Sequence, residues 1–413
     1  MSTERQPQHP AQPAPSKRAL GMVFFIMLMD IIGLSILIPV SSLIVQRYSS
    51  DAFTVTLLTG IYAAAQFFAA PLLGNISDRI GRRPVLLASV FGSAIGYFIF
   101  GIGGALWVLF LSRLIDGITG GNLSTASAYI ADITPPQDRA KNFALIGIAF
   151  GLGFILGPAL GGLAGQISLE APAYLAGILA LISVVGIYFL LPESLPAEKR
   201  DKTPMQLRNL NPLVAIGEIA NRPGMPLLLV VSCIFAFAFN GTNNTFPVFL
   251  RDVFSAKQGE IAALFVVGGI ITMISQAVLV RPIVKRFGEK TMTIVSLIGL
   301  ALGMLTIWLA PTYLSLFPTA LLRNGLGGFF WGTMAAMTAG KVQPREQGKL
   351  AGVNTALQSL MAVFGPPAAG LVYDTVTPGA PFWIGAILYI AAALLVFGVK
   401  VTKPAQTQAA WGK

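Results

Sequence analysis

The chain has 413 residues, 54% of them hydrophobic and only 11% charged, with a mean hydropathy of +0.73. Globular domains carry about 25% charged residues, so a water-soluble fold is excluded. The net charge of +11 would suit a nucleic-acid partner, but its placement rules that out: of 28 Lys and Arg, 23 fall in tails and in loops on one side of the apolar runs, three (Arg47, Arg251, Lys257) on the other, and two (Arg113, Arg323) inside the runs. Such asymmetry marks the cytoplasmic side of a membrane protein, not a basic binding face.

Residues 1–18 are rich in Pro and Gln, lack the apolar core of a signal peptide, and are expected to form a disordered cytoplasmic tail. They hold the only histidine, His9, so no His-based metal site or proton shuttle is expected in the membrane. Apolar runs follow at 19–44, 55–73, 85–104, 106–129, 142–166 and 172–191, and again at 225–250, 259–280, 291–310, 313–338, 350–373 and 381–401. Each is close to the ~20 residues that cross a bilayer as a helix. The single cysteine, Cys233, lies in one of them and cannot form an intrachain disulfide. An even number of crossings puts both tails, 1–18 and 402–413, in the cytoplasm. The charged, Pro-punctuated stretch 192–224 reads as a cytoplasmic linker between six-helix bundles at 19–191 and 225–401. The expectation is an all-α membrane protein with twelve transmembrane helices in two six-helix pseudo-repeats, monomeric and surrounded by membrane lipid.

Asp30 lies midway along the first run. Ionisable groups at that depth are costly and point to function. A carboxylate taken out of water favours its neutral form and can load and release a proton near neutral pH. Asp30 is therefore the expected proton-coupling site. The second and third runs are joined by Gly74-Asn75-Ile76-Ser77-Asp78-Arg79-Ile80-Gly81-Arg82-Arg83-Pro84, short enough to make them antiparallel neighbours. Gly74 and Gly81 permit a tight turn, and Asp78 can pair with a guanidinium or sit at a helix N-terminus.

In the fourth run Arg113 and Asp116 are three residues apart and can pair along one helix face. A permanent cation there makes protonation of Asp30 depend on its distance, and Asp116 is the second candidate for a proton. The fifth run, 147–162, stacks small residues at spacings of four, among them Gly153, Gly157, Gly161 and Gly162, with Pro158 adding a kink. By itself this is a seam for close helix packing.

The halves repeat. Gly288 in a degraded copy of the 74–84 loop lies 207 residues after Gly81, Gly365-Pro366 lies 208 after Gly157-Pro158, and Pro247 lies 208 after Pro39. Two bundles so related leave a cleft. Tyr62, Gln66, Asn122, Phe150 and Phe154 of the first half are expected to line it, with Phe239, Asn240, Asn243, Asn244, Gln276, Trp331, Asn354 and Gln358 of the second. One acid among many amides and aromatics suits an apolar or zwitterionic ligand better than a sugar phosphate. The sequence has no G-x-x-x-x-G-K-[ST] loop, no G-x-S-x-G elbow and no metal-ligand cluster, so neither an enzyme nor a cofactor is expected.

The 74–84 loop resembles the pattern G-x-x-x-D-R-x-G-R-[RK] between helices two and three of the major facilitator superfamily, and the likeness extends from about residue 19 to 401. Arg113, four residues before Gly117, resembles that family's fourth-helix pattern linked to proton transfer. The run through Gly157-Pro158 resembles the antiporter motif G-x-x-x-G-P-x-x-G-G of its exporters. Met29-Asp30-Ile31-Ile32-Gly33, Ser77 through Leu86, Phe150 through Ser168, Gly288-Glu289-Lys290-Thr291 and Gln347-Gly348 are similar to the twelve-helix drug:proton antiporters, especially the tetracycline exporters. Three of the latter's polar groups are replaced here: Gly96 stands before Tyr97 in place of an aspartate, Thr272 stands in place of a histidine, and 291–310 holds no acid. Tetracycline itself is therefore not the expected substrate.

The resemblance implies a proton-coupled antiporter that exports hydrophobic or amphipathic small molecules or drugs from a bacterial inner membrane, with the proton as coupling ion. Protonated Asp30 would permit the switch between states, with Arg113 tuning it. Gly74, Asp78, Arg79, Gly81, Arg82 and Arg83 would stabilise the outward-open state by bridging cytoplasmic helix ends. A lipid, lysolipid or metabolite transporter on the same scaffold is the alternative, and a non-transporting membrane receptor the second.

Overall fold

The computed structural model describes residues 17–135, 139–200, 212–342 and 347–399, and every regular element among them is helical. The first half holds α1 (Lys17–Ile36), α2 (Ile38–Val45), α3 (Ala52–Ile80), α4 (Arg82–Ile102), α5 (Leu106–Thr119), α6 (Asn122–Ile133), α7 (Arg139–Ala164) and α8 (Ala171–Leu190). A short α9 (Pro212–Ala220) precedes α10 (Met225–Phe254), α11 (Gln258–Ile274), α12 (Val280–Phe287), α13 (Glu289–Trp308), α14 (Leu316–Ala320), α15 (Phe329–Ala339), α16 (Gln347–Thr375) and α17 (Ala380–Phe397). The expected tail at 402–413 and most of that at 1–18 lie outside the described residues.

Among the described residues nine helices are long and apolar enough to cross a membrane, α1 and α2 counting together as one stretch. The other three expected spans are helical in consecutive pieces. The span at 106–129 breaks at Gly120-Gly121 between α5 and α6. The span at 259–280 widens into a π-helical turn, Ser275–Leu279, between α11 and α12. A second π-helical turn, Leu321–Leu326, follows α14 within the span at 313–338. Hydropathy does not register such interruptions, because a widened turn or a glycine pair leaves the apolarity of the side chains unchanged.

Two one-residue turns stand at equivalent places of the sequence repeat. Gly81 joins α3 to α4 at φ +112° and Gly288 joins α12 to α13 at φ +82°, conformations that glycine adopts without a Cβ penalty. α1 packs on α7 and α8, α4 on α5 and α8, α10 on α16 and α17, and α13 on α17. The first half meets the second where α3 packs on α16 and α7 on α11.

The stretch expected to be a plain linker contains α9. Its Pro-Leu-Val-Ala-Ile-Gly-Glu-Ile-Ala sequence is apolar enough to seat Ile219 against Met225, Leu229, Leu350, Val353 and Leu357. That contact ties the linker to the start of α10 and to α16.

Described hydrogen bonds between the halves fall at one end of the molecule or toward its middle. Asp374 Oδ1 and Oδ2 accept from Ala52 N at 3.0 Å and Phe53 N at 2.7 Å, capping the start of α3. Arg251 Nη1 donates to Ser42 O at 2.9 Å, and Gln258 Nε2 to Gly161 O at 3.0 Å. Deeper in, Thr59 Oγ1 donates to Asn244 Oδ1 at 2.9 Å. None of these lies at the Gly81 end of α3.

Candidate functional site

The break in the fourth span builds the first polar cluster. Gly120-Gly121 ends α5 and lets Asn122 start α6, where its Nδ2 donates to Asp30 Oδ1 at 2.6 Å. Asp30 is half-buried in the middle of the α1–α2 stretch, and Asn122 is 5% exposed. On α3, Gln66 Nε2 donates to Tyr62 Oη at 3.1 Å and to Gly120 O at 3.0 Å. One end of the Gly120-Gly121 break is thus held by α3 and the other by α1. The structure thus places Asp30 and Asn122 on one side of the break and Tyr62 and Gln66 on the other.

Arg113 and Asp116 sit behind this cluster. Arg113 Nη1 pairs with Asp116 Oδ2 at 3.1 Å, and the two residues are 7% and 2% exposed. The guanidinium also stands 4.8 Å from the centre of the Phe100 ring and 5.4 Å from that of Tyr97. Its Nε and Nη2 are buried without a hydrogen-bond partner, so ring faces supply part of what an acceptor would. Tyr97 links the pair to α1: a Cβ on Gly33, one turn beyond Asp30, would lie 3.3 Å from Tyr97 Oη. Arg113 therefore pairs with Asp116, and its connection to Asp30 runs through Tyr97. Sequence reasoning did not single out Tyr97 as a site residue, because one tyrosine in an apolar run carries no local signal.

The stretch 74–84, expected to be a loop, is instead the end of α3 and the start of α4 with Gly81 alone as the turn, because one glycine at positive φ suffices to reverse the chain, and it forms a second polar cluster. Arg82, 7% exposed, reaches Asp78 Oδ1 from Nη1 at 2.6 Å, Asp132 Oδ2 from Nε at 3.0 Å, and Ser77 Oγ from Nη1 at 2.6 Å. Glu193 accepts from the backbone N of Arg82 at 2.9 Å and of Arg83 at 3.2 Å, placing a carboxylate at the start of α4. A Cβ on Gly81 would come 2.9 Å from Glu193 Cδ. Arg83 donates to Tyr188 O, and Arg79 Nε to Asn75 Oδ1 at 2.9 Å. A Cβ on Gly74 would meet nothing within 4 Å. The motif thus fastens the ends of α3, α4, α6 and α8 within the first half. Asp132 and Glu193 are its partners from 50 and 111 residues away, beyond the reach of a local pattern.

The small-residue run of α7 lies against α1. A Cβ on Gly153 would be 2.5 Å from Ile31 Cγ2, one on Gly157 3.0 Å from Ile32 O and nearer still to Ser35 Oγ, and one on Gly161 2.5 Å from Ile36 O. Ser35 Oγ donates to Gly153 O at 2.8 Å. Gly162 faces the other way, where a Cβ would sit 2.7 Å from Ala262 Cβ of α11. Pro158 lies within the helix. α7 therefore touches both the helix that carries Asp30 and the second half.

The remaining expected cleft residues form separate groups. Phe150 and Phe154 stack on α7 with centroids 6.3 Å apart. Phe239 and Trp331 meet edge to face at 6.3 Å, and Trp331, Asn354 and Gln358 line a cavity of about 80 Å³. Asn240 Nδ2 donates to Ala236 O, a bond within its own helix, while Asn243 Oδ1 accepts from Arg323 Nη2 at 2.7 Å. Gln276 is exposed in the π-helical turn, and no described hydrogen bond joins it to the others.

The profile of the Major Facilitator Superfamily matches residues 23–322 and 277–413. The tetracycline resistance protein, class C, of Escherichia coli is 34% identical over 401 residues, covering 96% of this chain and 98% of that protein. The class D tetracycline resistance protein of Salmonella ordonez is 30% identical over 392 residues, with 93% and 97% covered. Among solved structures, the human organic anion transporter MFSD10 superposes with a TM-score of 0.71 at 25% identity, covering 94% of this chain and all of that one. These relatives and neighbours are transporters, not enzymes.

Proposed function

The chain belongs to the major facilitator superfamily and is a multi-pass membrane transporter, and from that premise we propose that it exports hydrophobic or amphipathic small molecules across a bacterial inner membrane in exchange for protons. The observation that carries this reading is the 2.6 Å bond from Asn122 to Asp30. A hydrogen bond to an ionised carboxylate is about twice as strong as one between neutral groups, so a proton on Asp30 weakens the tie between α1 and α6. α1 can then shift along the glycine seam of α7, which also packs on α11. One protonation thereby biases how the halves rest on each other.

The arrangement of cross-links supports alternating access. The halves are pinned at the Ala52 end, which supports a state closed on that side and, in this reading, open on the side of the Gly81 turn, where the excess of Lys and Arg puts the cytoplasm. In this state Arg82 is satisfied inside the first half, and the half-exposed Asp78 is available to second-half helix ends once that side closes. The proton claim is tested with Asp30→Asn. Uptake into inverted vesicles under an imposed pH gradient should be abolished at unchanged protein abundance, and unimpaired uptake rejects it.

A second reading, a carrier of lipid-like molecules on the same scaffold, is favoured by one observation. A cavity of about 710 Å³ opens between α11, α13 and the Leu321–Leu326 turn, lined almost wholly by apolar side chains such as Ile274, Met292 and Phe329. Transport of a lysophospholipid in proteoliposomes, lost on filling the cavity with Gly325→Leu, would establish that reading in place of the first.

A further inference from the structure

The two halves hold opposite charges at equivalent places. Gly96 of α4 packs on the helix after it, where a Cβ would lie 3.0 Å from Asp116 Cβ. Gly303 of α13 does the same, with a Cβ 3.0 Å from Arg323 N and 3.1 Å from its Cα. The glycines are 207 residues apart, and so are Asp116 and Arg323. In the first half the carboxylate is matched by Arg113 at 3.1 Å. The second half has no such match: 207 residues after Arg113 stands Ala320, and 208 after Asp30, the offset relating Pro39 to Pro247, stands Ala238. Among the described residues no carboxylate lies within ion-pair distance of Arg323.

The two buried-span arginines also differ in their surroundings. Arg113 is 7% exposed, with two nitrogens sealed from solvent, and already has its acid. Arg323 is half-buried in the π-helical Leu321–Leu326 turn, and its one described hydrogen bond runs from Nη2 to Asn243 Oδ1 at 2.7 Å. Phe246 lies under the guanidinium, 4.8 Å away. None of its nitrogens is among the sealed atoms that lack a partner, so its remaining N–H groups, unlike those of Arg113, are not completely shut off. Phe239 precedes Asn243 by one turn on the same face of α10 and meets Trp331 edge to face.

A cation held at membrane depth without a counter-ion is costly, and a guanidinium matches a carboxylate through two parallel hydrogen bonds. We infer that Arg323 receives the anionic group of the transported molecule, whose apolar or aromatic body rests against Phe239 and Trp331, so that the ligands are amphipathic organic anions. This rests on the transport reading above for what happens after binding, but binding itself can be measured alone.

The test is equilibrium binding of fluorescein, an aromatic organic anion, to the purified full-length protein by fluorescence anisotropy, with ethidium as the cationic counterpart. Arg323→Gln should weaken fluorescein binding by at least about tenfold and leave ethidium binding unchanged or tighter, while Arg323→Lys retains part of the anion affinity. Asn243→Asp, which sets a carboxylate against the guanidinium with the arginine still in place, should also weaken fluorescein binding. Thermal unfolding of each variant checks that the fold persists. Absence of fluorescein binding by the unaltered protein overturns the inference. So does equal binding by Arg323→Gln, or an equal loss for both probes, which would make Arg323 a packing residue. Binding through Arg323 with no movement into proteoliposomes would instead reject the transport reading and leave the site standing.

Discussion

Asn122 Nδ2 and Asp30 Oδ1 lie 2.6 Å apart, 92 residues distant in sequence, and join the broken fourth span to the middle of the first. The bond exists because Gly120-Gly121 ends one helix and re-aims the chain before the next. Asn122 Oδ1 has no partner of its own, so the amide is held by its donor side alone. A hydrogen bond to a charged group contributes about 1.5–3 kcal/mol, and Asn122→Ala should lower unfolding free energy by that amount. Thermal or denaturant unfolding in detergent reads the change, and pH-driven transport should fall with it.

The α1–α7 seam makes a sharper contrast. Gly157→Val forces a side chain into Ser35 and the Ile32 carbonyl, an overpacking that costs about 1–3 kcal/mol, and should abolish transport. Gly147→Ala, at a glycine of the same run with nothing within 4 Å, should leave stability and transport unchanged. Equal effects of the two would show that the run is not a packing seam.

Arg82 and Arg79 are neighbours in the motif with unlike surroundings. Arg82 is buried against Asp78, Asp132 and Ser77, and its two carboxylate partners are partly exposed, so Arg82→Ala should cost about 1–3 kcal/mol. Among the described residues Arg79 holds Asn75 alone, and Arg79→Ala should stay within about 0.5 kcal/mol. Chemical denaturation of both variants separates them.

Glu193 serves α4 as a cap borrowed from beyond α8. Its two oxygens take the free N–H groups of Arg82 and Arg83, and Glu193→Ala should cost about 0.5–2 kcal/mol, seen as faster amide exchange in the first turn of α4. Exchange unchanged there would mean that the backbone donors find water instead.

Asp374 caps α3 from the other half, so its loss should bias the two states. Removing an N-cap carboxylate costs about 1 kcal/mol, which raises the share of the alternative state about fivefold. In an Asp374→Ala, Cys233→Ser background, a cysteine at Ala64 of α3, one turn after Gly60, whose Cβ would lie 2.8 Å from Pro367 Cγ of α16, should label correspondingly faster from outside the cell. A lower rate would show that the cap does not hold that end shut.

Much of this molecule is written locally. The apolar runs place most helix ends to within four residues, because in lipid the backbone must satisfy its own hydrogen bonds and a long apolar run has no other stable form, whereas the helices ending at Ile80 and Phe287 run seven residues past their apolar runs into polar sequence. The shared offset between Gly81 and Gly288 foretold two turns of the same kind, since positive φ at a one-residue joint selects glycine. What pattern and spacing left open is the continuity of the spans. The breaks at Gly120-Gly121 and in the two π-helical turns, and the helix α9 inside the linker, depend on what packs beside them.

The amino-acid order by itself determined that the chain crosses a membrane repeatedly, that its halves repeat, and that very few charges lie within the apolar spans, because hydrophobicity and charge are properties of single residues summed along the chain. Which charges meet was decided only by tertiary structure. Arg113 belongs to Asp116, Arg82 to Asp132, Asp30 to Asn122, and Arg323 to no acid among the described residues. Pairing depends on the distance and direction between side chains brought together from far along the chain, and electrostatic energy falls with that distance rather than with separation in sequence.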